Sequence, residues 1–176
     1  STKIIVFTNP TSSVSGVSLT DPVVRFVDAQ NTLDTVANTD IVTASVQSGA
    51  GSVTNTTSTA SNGVSTFAAL FYTATADQQA FVLRFTDDTA GTNNFNSVPV
   101  DASSTVSDVI ATKVIVFTNP TSSVSGVSMT QPVIQFVNAQ NTLDTVANTD
   151  VVTASVLSGG GTVSGTTTST ASNGVS

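Results

Sequence analysis

The chain contains no cysteine, no histidine, no tryptophan and no glutamate among its 176 residues. Without cysteine there is neither a disulfide nor a thiolate metal site. Without histidine a Ser-His-Asp triad is excluded. Cations are scarce too: Lys and Arg total 4 against 11 acidic residues, all of them aspartate, for a net charge of −7. Phosphate binding needs clustered Lys and Arg, so nucleic acid is not a partner. The longest purely apolar run, Phe67 to Tyr72, falls far short of the roughly 20 residues of a membrane-spanning helix. Neither a phosphate-binding GxxxxGK[ST] loop nor a strand-to-helix GxGxxG turn is present. These absences leave no recognisable catalytic constellation, and the chain reads as a non-enzyme.

What is abundant is Ser, Thr, Val, Asn and Gly. Thr and Val favour strands, whereas strong helix formers are few. The expected fold class is all-β. The string KIIVFTNPTSSVSGVS at Lys3 to Ser18 returns as KVIVFTNPTSSVSGVS at Lys113 to Ser128. Aligned at an offset of 110, residues 1–49 and 111–159 differ at 9 of 49 positions. A unit of this length is a whole domain and not one turn of a solenoid, which runs ~20–50 residues. The expected organisation is repeat 1 over 1–108 and repeat 2 over 109–176. Ser176 matches Ser65, so repeat 2 is expected to be truncated before its last strands.

Strands are expected near 3–8, 22–28, 41–47, 52–57, 64–74, 79–86 and 94–101. Short strands at this spacing, separated by turn signals, suggest a sandwich or barrel. Asn62-Gly63 and Asn173-Gly174 are turn signals. Pro10 and Pro120 interrupt the first strand at a sheet edge. In PVVRFVDA, alternation puts Val24 and Phe26 on the core face. In QAFVLRF the same holds for Phe81, Leu83 and Phe85. Alternation fails near Ala68-Ala69, which predicts a bulge. Where Val24 becomes Ile134 and Ile4 becomes Val114, only volume is tuned, as at buried positions. Where Asp21, Arg25 and Asp28 become Gln131, Gln135 and Asn138, charge is removed, as at exposed positions.

The segments DPVVRFVDAQNT, DIVTASVQSGAGSV, ASNGVSTFAAL and QAFVLRF, in that order, resemble the bacterial immunoglobulin-like repeats of invasin- and intimin-type adhesins and other surface proteins. The turn DAQNT departs from the glycine-asparagine that many such repeats place after the DA turn. The resemblance implies tandem immunoglobulin-like antiparallel β-sandwiches, the second incomplete, outside the cell or on its surface. It implies a non-enzymatic structural module of a bacterial fibre, adhesin stalk or surface layer, acting as a rigid spacer. Two alternatives stand beside it: a self-assembling subunit whose second domain is completed by strands of a neighbouring chain, and a phage virion decoration domain. The expected partners are neighbouring repeats of the same or identical chains, with a host or cell-surface ligand as a further possibility.

The remaining chemistry lies in the aspartates. In an immunoglobulin-like sandwich the B–C and F–G loops share a pole. Asp28, Asp34, Asp40, Asp87 and Asp88 would gather there in repeat 1. Asp101 and Asp108 would leave the opposite pole and approach Asp144 and Asp150 of repeat 2. Hard oxygen ligands of this kind suit Ca²⁺, which takes 6–8 of them. Calcium is therefore the one cofactor the sequence suggests. The competing reading is that aspartate forms turns and keeps a lysine-poor chain soluble.

Overall fold

The computed structural model describes residues 1–11, 13–88, 98–121 and 124–176, and every regular element among them is a β-strand. The chain divides into two compact units, Ser1–Asp108 and Val109–Ser176.

Unit 1 contains β1 (Lys3–Thr8), β2 (Ser13–Val14), β3 (Val23–Val27), β4 (Ile41–Ser48), β5 (Ser52–Thr54) and β6 (Thr57–Thr59). It continues with β7 (Val64–Thr66), β8 (Phe71–Thr73), β9 (Gln79–Asp87), β10 (Val100–Asp101) and β11 (Thr105–Asp108). One antiparallel sheet has the order β1-β3-β7. A larger sheet has the order β2-β11-β9-β4-β6, with β10 also on β9, and β5 pairs with β8. All pairings are antiparallel except β2 with β11.

Alternation along each strand decides which side chains are buried. Val24 and Phe26 are fully buried, opposite Val6 and Ile4 of β1. Val42 and Ala44 of β4 and Phe81, Leu83 and Phe85 of β9 enter the same core, so both sheets supply one cluster. Phe67 tilts against Phe85 at 5.0 Å between ring centroids. Tyr72 stacks on Phe81 at 3.8 Å, with ring planes 8° apart. Each such large apolar side chain stabilises the fold by ~1.5–3 kcal/mol relative to exposure.

Two strand expectations need correction. The segment 64–74 is two strands and not one bulged strand. Ala69 takes φ 95°, and the chain leaves β3 to pair instead with β5. The segment 52–57 is also split, at Asn55 with φ 57°, and the Asn55 side-chain amide donates to the Ala69 carbonyl at 3.0 Å. Residues 94–97 of the last expected strand lie outside the described residues, and the rest of it forms only the short β10.

The stretch around Asp108, expected to lead away as a linker, is the closing strand of unit 1. β11 runs beside β9 and, in parallel, beside β2. Thr105 Oγ1 donates to the Pro10 carbonyl at 2.8 Å, and the Ser103 amide donates to Asn9 Oδ1 at 2.7 Å. Pro10 does end the first strand: β1 stays with β3, and β2 joins the other sheet.

Unit 2 contains β12 (Lys113–Thr118), β13 (Val133–Val137), β14 (Val151–Thr153) and β15 (Thr168–Thr170). β12 and β13 reproduce the β1–β3 register residue for residue, including the irregularity at Val116/Thr118 that matches Val6/Thr8. β14 pairs with β15 as β4 does with β6. The extra residue of this repeat falls after Gly165. Gly165 shares positive φ with Asn55, and the Ala154 amide reaches Thr167 as that of Ala44 reaches Thr56.

Burial differs between the units. Val114 is 56% exposed where Ile4 is 3% exposed, because among its described residues unit 2 has no strands matching β8 to β11. The expectation that Ile4 and Val114 are both buried therefore fails in unit 2. Two exchanges read as exposed are not so. Asn138 is buried, and the Arg25 guanidinium is half-buried 3.1 Å over the Phe7 ring.

Candidate functional site

The aspartates singled out in the sequence fall into separate structural roles. Asp34 follows the strand end of β3, where Phe26 O accepts its amide at 2.9 Å. Its Oδ1 accepts from the Val36 amide at 3.1 Å and its Oδ2 from the Ser1 nitrogen. The Ser1 ammonium beside Asp34, helped by the Val36 amide, holds that carboxyl below the usual carboxylate range. Asp144 repeats the arrangement. Its Oδ1 accepts from Val146 at 3.1 Å and its Oδ2 from the Ala111 amide at 2.9 Å. Ser1 and Ala111 are equivalent positions, so in both units the aspartate clasps the chain two residues before its first strand.

The clasp has a fixed seat. The Gly63 amide donates to Ala37 O at 2.8 Å, and the Asn62 amide donates to Asn38 Oδ1 at 2.6 Å. Gly174 with Ala147 and Asn173 with Asn148 do the same in unit 2. A Cβ on Gly63 or Gly174 would collide with the carbonyl oxygen of Asp34 or Asp144, and both glycines have positive φ. The Asn-Gly pairs are therefore needed both as turns and as floors beneath the aspartates. Asn38 and Asn148 were invisible as functional positions, because an asparagine in a polar loop carries no distinguishing signal.

Asp28 is a loop former. Its Oδ1 accepts from the amides of Gln30 at 2.9 Å and Thr32 at 2.8 Å. Asn138 makes the same two bonds, at 3.0 and 2.9 Å, with an amide oxygen. The position needs an acceptor and not a charge, which explains why the two units differ there.

Asp40 and Asp87 are different. They are 1% and 4% exposed, far more buried than solvated loop aspartates. Neither carboxylate oxygen of Asp87 has a hydrogen-bond partner of normal geometry. Burial first, then the charges of Asp40 and Asp88, push the Asp87 carboxyl up to about 6, against a smaller opposing pull from the Asp88 amide. Asp88 itself turns back on β4: its amide donates to Ile41 O at 3.0 Å, and its Oδ1 accepts from the Ile41 amide at 3.4 Å. In unit 2, Asp150 at the position of Asp40 is exposed, and among the described residues no carboxylate takes the place of Asp87 beside it.

Asp101 is paired across β10 and β9 with Arg84, whose Nε and Nη2 donate at 2.7 and 2.9 Å. That bond raises Arg84 and lowers Asp101. Asp108 accepts from the Gln78 side-chain amide at 2.5 Å. Both carboxylates expected to leave unit 1 as linker ligands are thus engaged within it. Among the described residues, no three carboxylates converge into a group able to hold a metal ion. The F–G loop expected to contribute, from Thr86 to Asn94, lies outside the described residues beyond Asp88.

No family model, no curated protein and no solved structure matches this chain. No helix among the described residues is long and apolar enough to cross a membrane.

Proposed function

We propose that this chain is a non-enzymatic structural module: tandem immunoglobulin-like β-sandwiches that act as a spacer in an extracellular bacterial fibre, adhesin stalk or surface layer. The observation that supports it most is the repeated clasp. Asp34 and Asp144 grip the incoming chain at equivalent atoms, and each is seated on an identical Asn-Gly turn. A device that fixes how the chain enters each unit is what a repeating spacer requires, and it places no reactive group in a cleft. The polar chemistry concentrated elsewhere is likewise spent on loops and strand closure.

The experiment is to express chains with increasing numbers of the repeat and measure their end-to-end length by small-angle scattering. A spacer lengthens by a constant increment, roughly 35–45 Å per unit for sandwiches with strands of this length. Length that saturates as units are added would overturn the reading.

A further inference from the structure

Unit 2 presents, uncovered, the face that unit 1 buries. Met129, Val116 and Val152 border an open trough of about 1330 Å³, together with Ile134 and Ala154. In unit 1 the counterparts Leu19, Val24, Val42 and Ala44 are all within 3% exposure, and Val6, the counterpart of Val116, is half-buried against the same core. What covers them there is known residue by residue: Phe67, Leu70 and Tyr72, then Phe81, Leu83 and Phe85 of β9.

The glycines of the β4–β5 turn define the missing cover more narrowly. In unit 1 a Cβ on Gly51 would collide with the Tyr72 ring, and one on Gly49 would lie 3.0 Å from the Tyr72 hydroxyl. That hydroxyl accepts from the Gly51 amide at 3.1 Å and donates to Gln79 Oε1 at 3.0 Å. Glycine is thus required at 49 and 51 because a tyrosine ring lies against the backbone. Unit 2 keeps glycine at 159 and 161, yet among the described residues nothing would lie within 4 Å of a Cβ on either. Gly159 even keeps the φ of Gly49, 104° against 103°. Among the described residues the edge of β14 is also open where the matching edge of β4 pairs with β9.

We propose that the open face of unit 2 is a docking face for a polypeptide segment with the chemistry of residues 66–108, which seats a tyrosine over Gly159 and Gly161 and adds a long strand to the edge of β14. Strand addition of this kind supplies main-chain hydrogen bonds, and alternate apolar side chains fill the trough. An identical copy of residues 1–176 is not the donor. Such a copy carries two acceptor faces and one segment of this type, so lending it would uncover the donor's own unit 1. The occupant is therefore a further segment of this type, distinct from the one that closes unit 1. This inference goes beyond the spacer reading and is tested by burial rather than by length.

The test appends a second copy of residues 66–108 after Ser176 of the full chain. Hydrogen exchange should then show the amides of Ile134, Phe136 and Val152 protected to within about tenfold of Val24, Phe26 and Val42. Binding of a hydrophobic dye, expected for the 176-residue chain, should fall by about half or more. Gly161→Ala should be silent in the 176-residue chain, yet lower the melting temperature of the extended chain by at least about 4 °C. Unchanged protection on extension, or a Gly161→Ala variant silent in both chains, would overturn the proposal. So would a 176-residue chain that dimerises in sedimentation with those three amides already protected, since the face would then belong to self-association.

Discussion

Asp144 Oδ2 accepts a hydrogen bond from the Ala111 amide at 2.9 Å, the bond that Asp34 Oδ2 makes with the Ser1 nitrogen. Asp144 is 7% exposed, so removing its carboxylate leaves two amides without an acceptor in a largely dry site. Hydrogen bonds to charged groups contribute ~1.5–3 kcal/mol. Asp144→Ala should destabilise unit 2 by about 2 kcal/mol. Exchange of the Ala111 and Val146 amides should accelerate while those of unit 1 stay unchanged. Asp34→Ala should do the same to unit 1.

The Asp87 carboxyl supplies a pH dependence of opposite sign to that of most carboxylates. Its folded-state value, about 6, lies above the ordinary 3.8, so the folded chain binds the proton more tightly than the unfolded one. Stability therefore falls as pH rises from about 4 to about 6, by an amount on the order of 2–3 kcal/mol, and is level above that. Asp34 and Asp101, with lowered values, act the other way, and their contribution is lost as pH falls below the ordinary range. Unit 1 should be most stable in mildly acidic solution, near pH 4–5. Asp87→Asn should raise its melting temperature at pH 7 and flatten the slope between pH 4 and 6, as followed by thermal melts across that range.

Asp28→Asn should leave stability within about 0.5 kcal/mol of the parent chain, the range of a neutral substitution. Asn138 already performs this role with an amide oxygen in the second unit. Chemical denaturation reads the outcome. A loss of several kcal/mol would mean that the charge at this loop has a role that the repeat does not reveal.

Ala69→Gly should stabilise unit 1. Ala69 holds φ 95° at the point where the chain passes from β7 to β8, a conformation that a Cβ disfavours. Removing the Cβ should contribute about 1 kcal/mol, a net gain even after the greater entropy of glycine in the unfolded chain. A rise of a few degrees in melting temperature checks it.

The apolar strands were legible because their signal is alternation. Val24 with Phe26, and Phe81 with Leu83 and Phe85, fall on the core face that the sequence pattern predicts. β11 was not legible, because its inward residues are Thr105 and Ser107, both buried hydroxyls, so hydrophobic periodicity does not register. The failed alternation at Ala68-Ala69 marked an irregularity, but not that the strand ends there, because FAALFY reads as apolar strand on both sides and alanine gives no warning of positive φ. The aspartate roles were masked by composition. Asp34, Asp40 and Asp101 look alike in polar loops, and only the fold makes one a clasp, one buried and one an ion pair.

β2 and β11 lie side by side and parallel, although they come from opposite ends of unit 1. Tension applied to the two ends therefore pulls these strands in opposite directions along their own axis. The backbone bonds between them, the Thr105 hydroxyl bond to the Pro10 carbonyl and the Ser15 amide bond to the Asp108 carbonyl are loaded together and not one at a time. In this geometry the seam opposes extension in shear, so its own lifetime under load follows the rate at which those bonds break together.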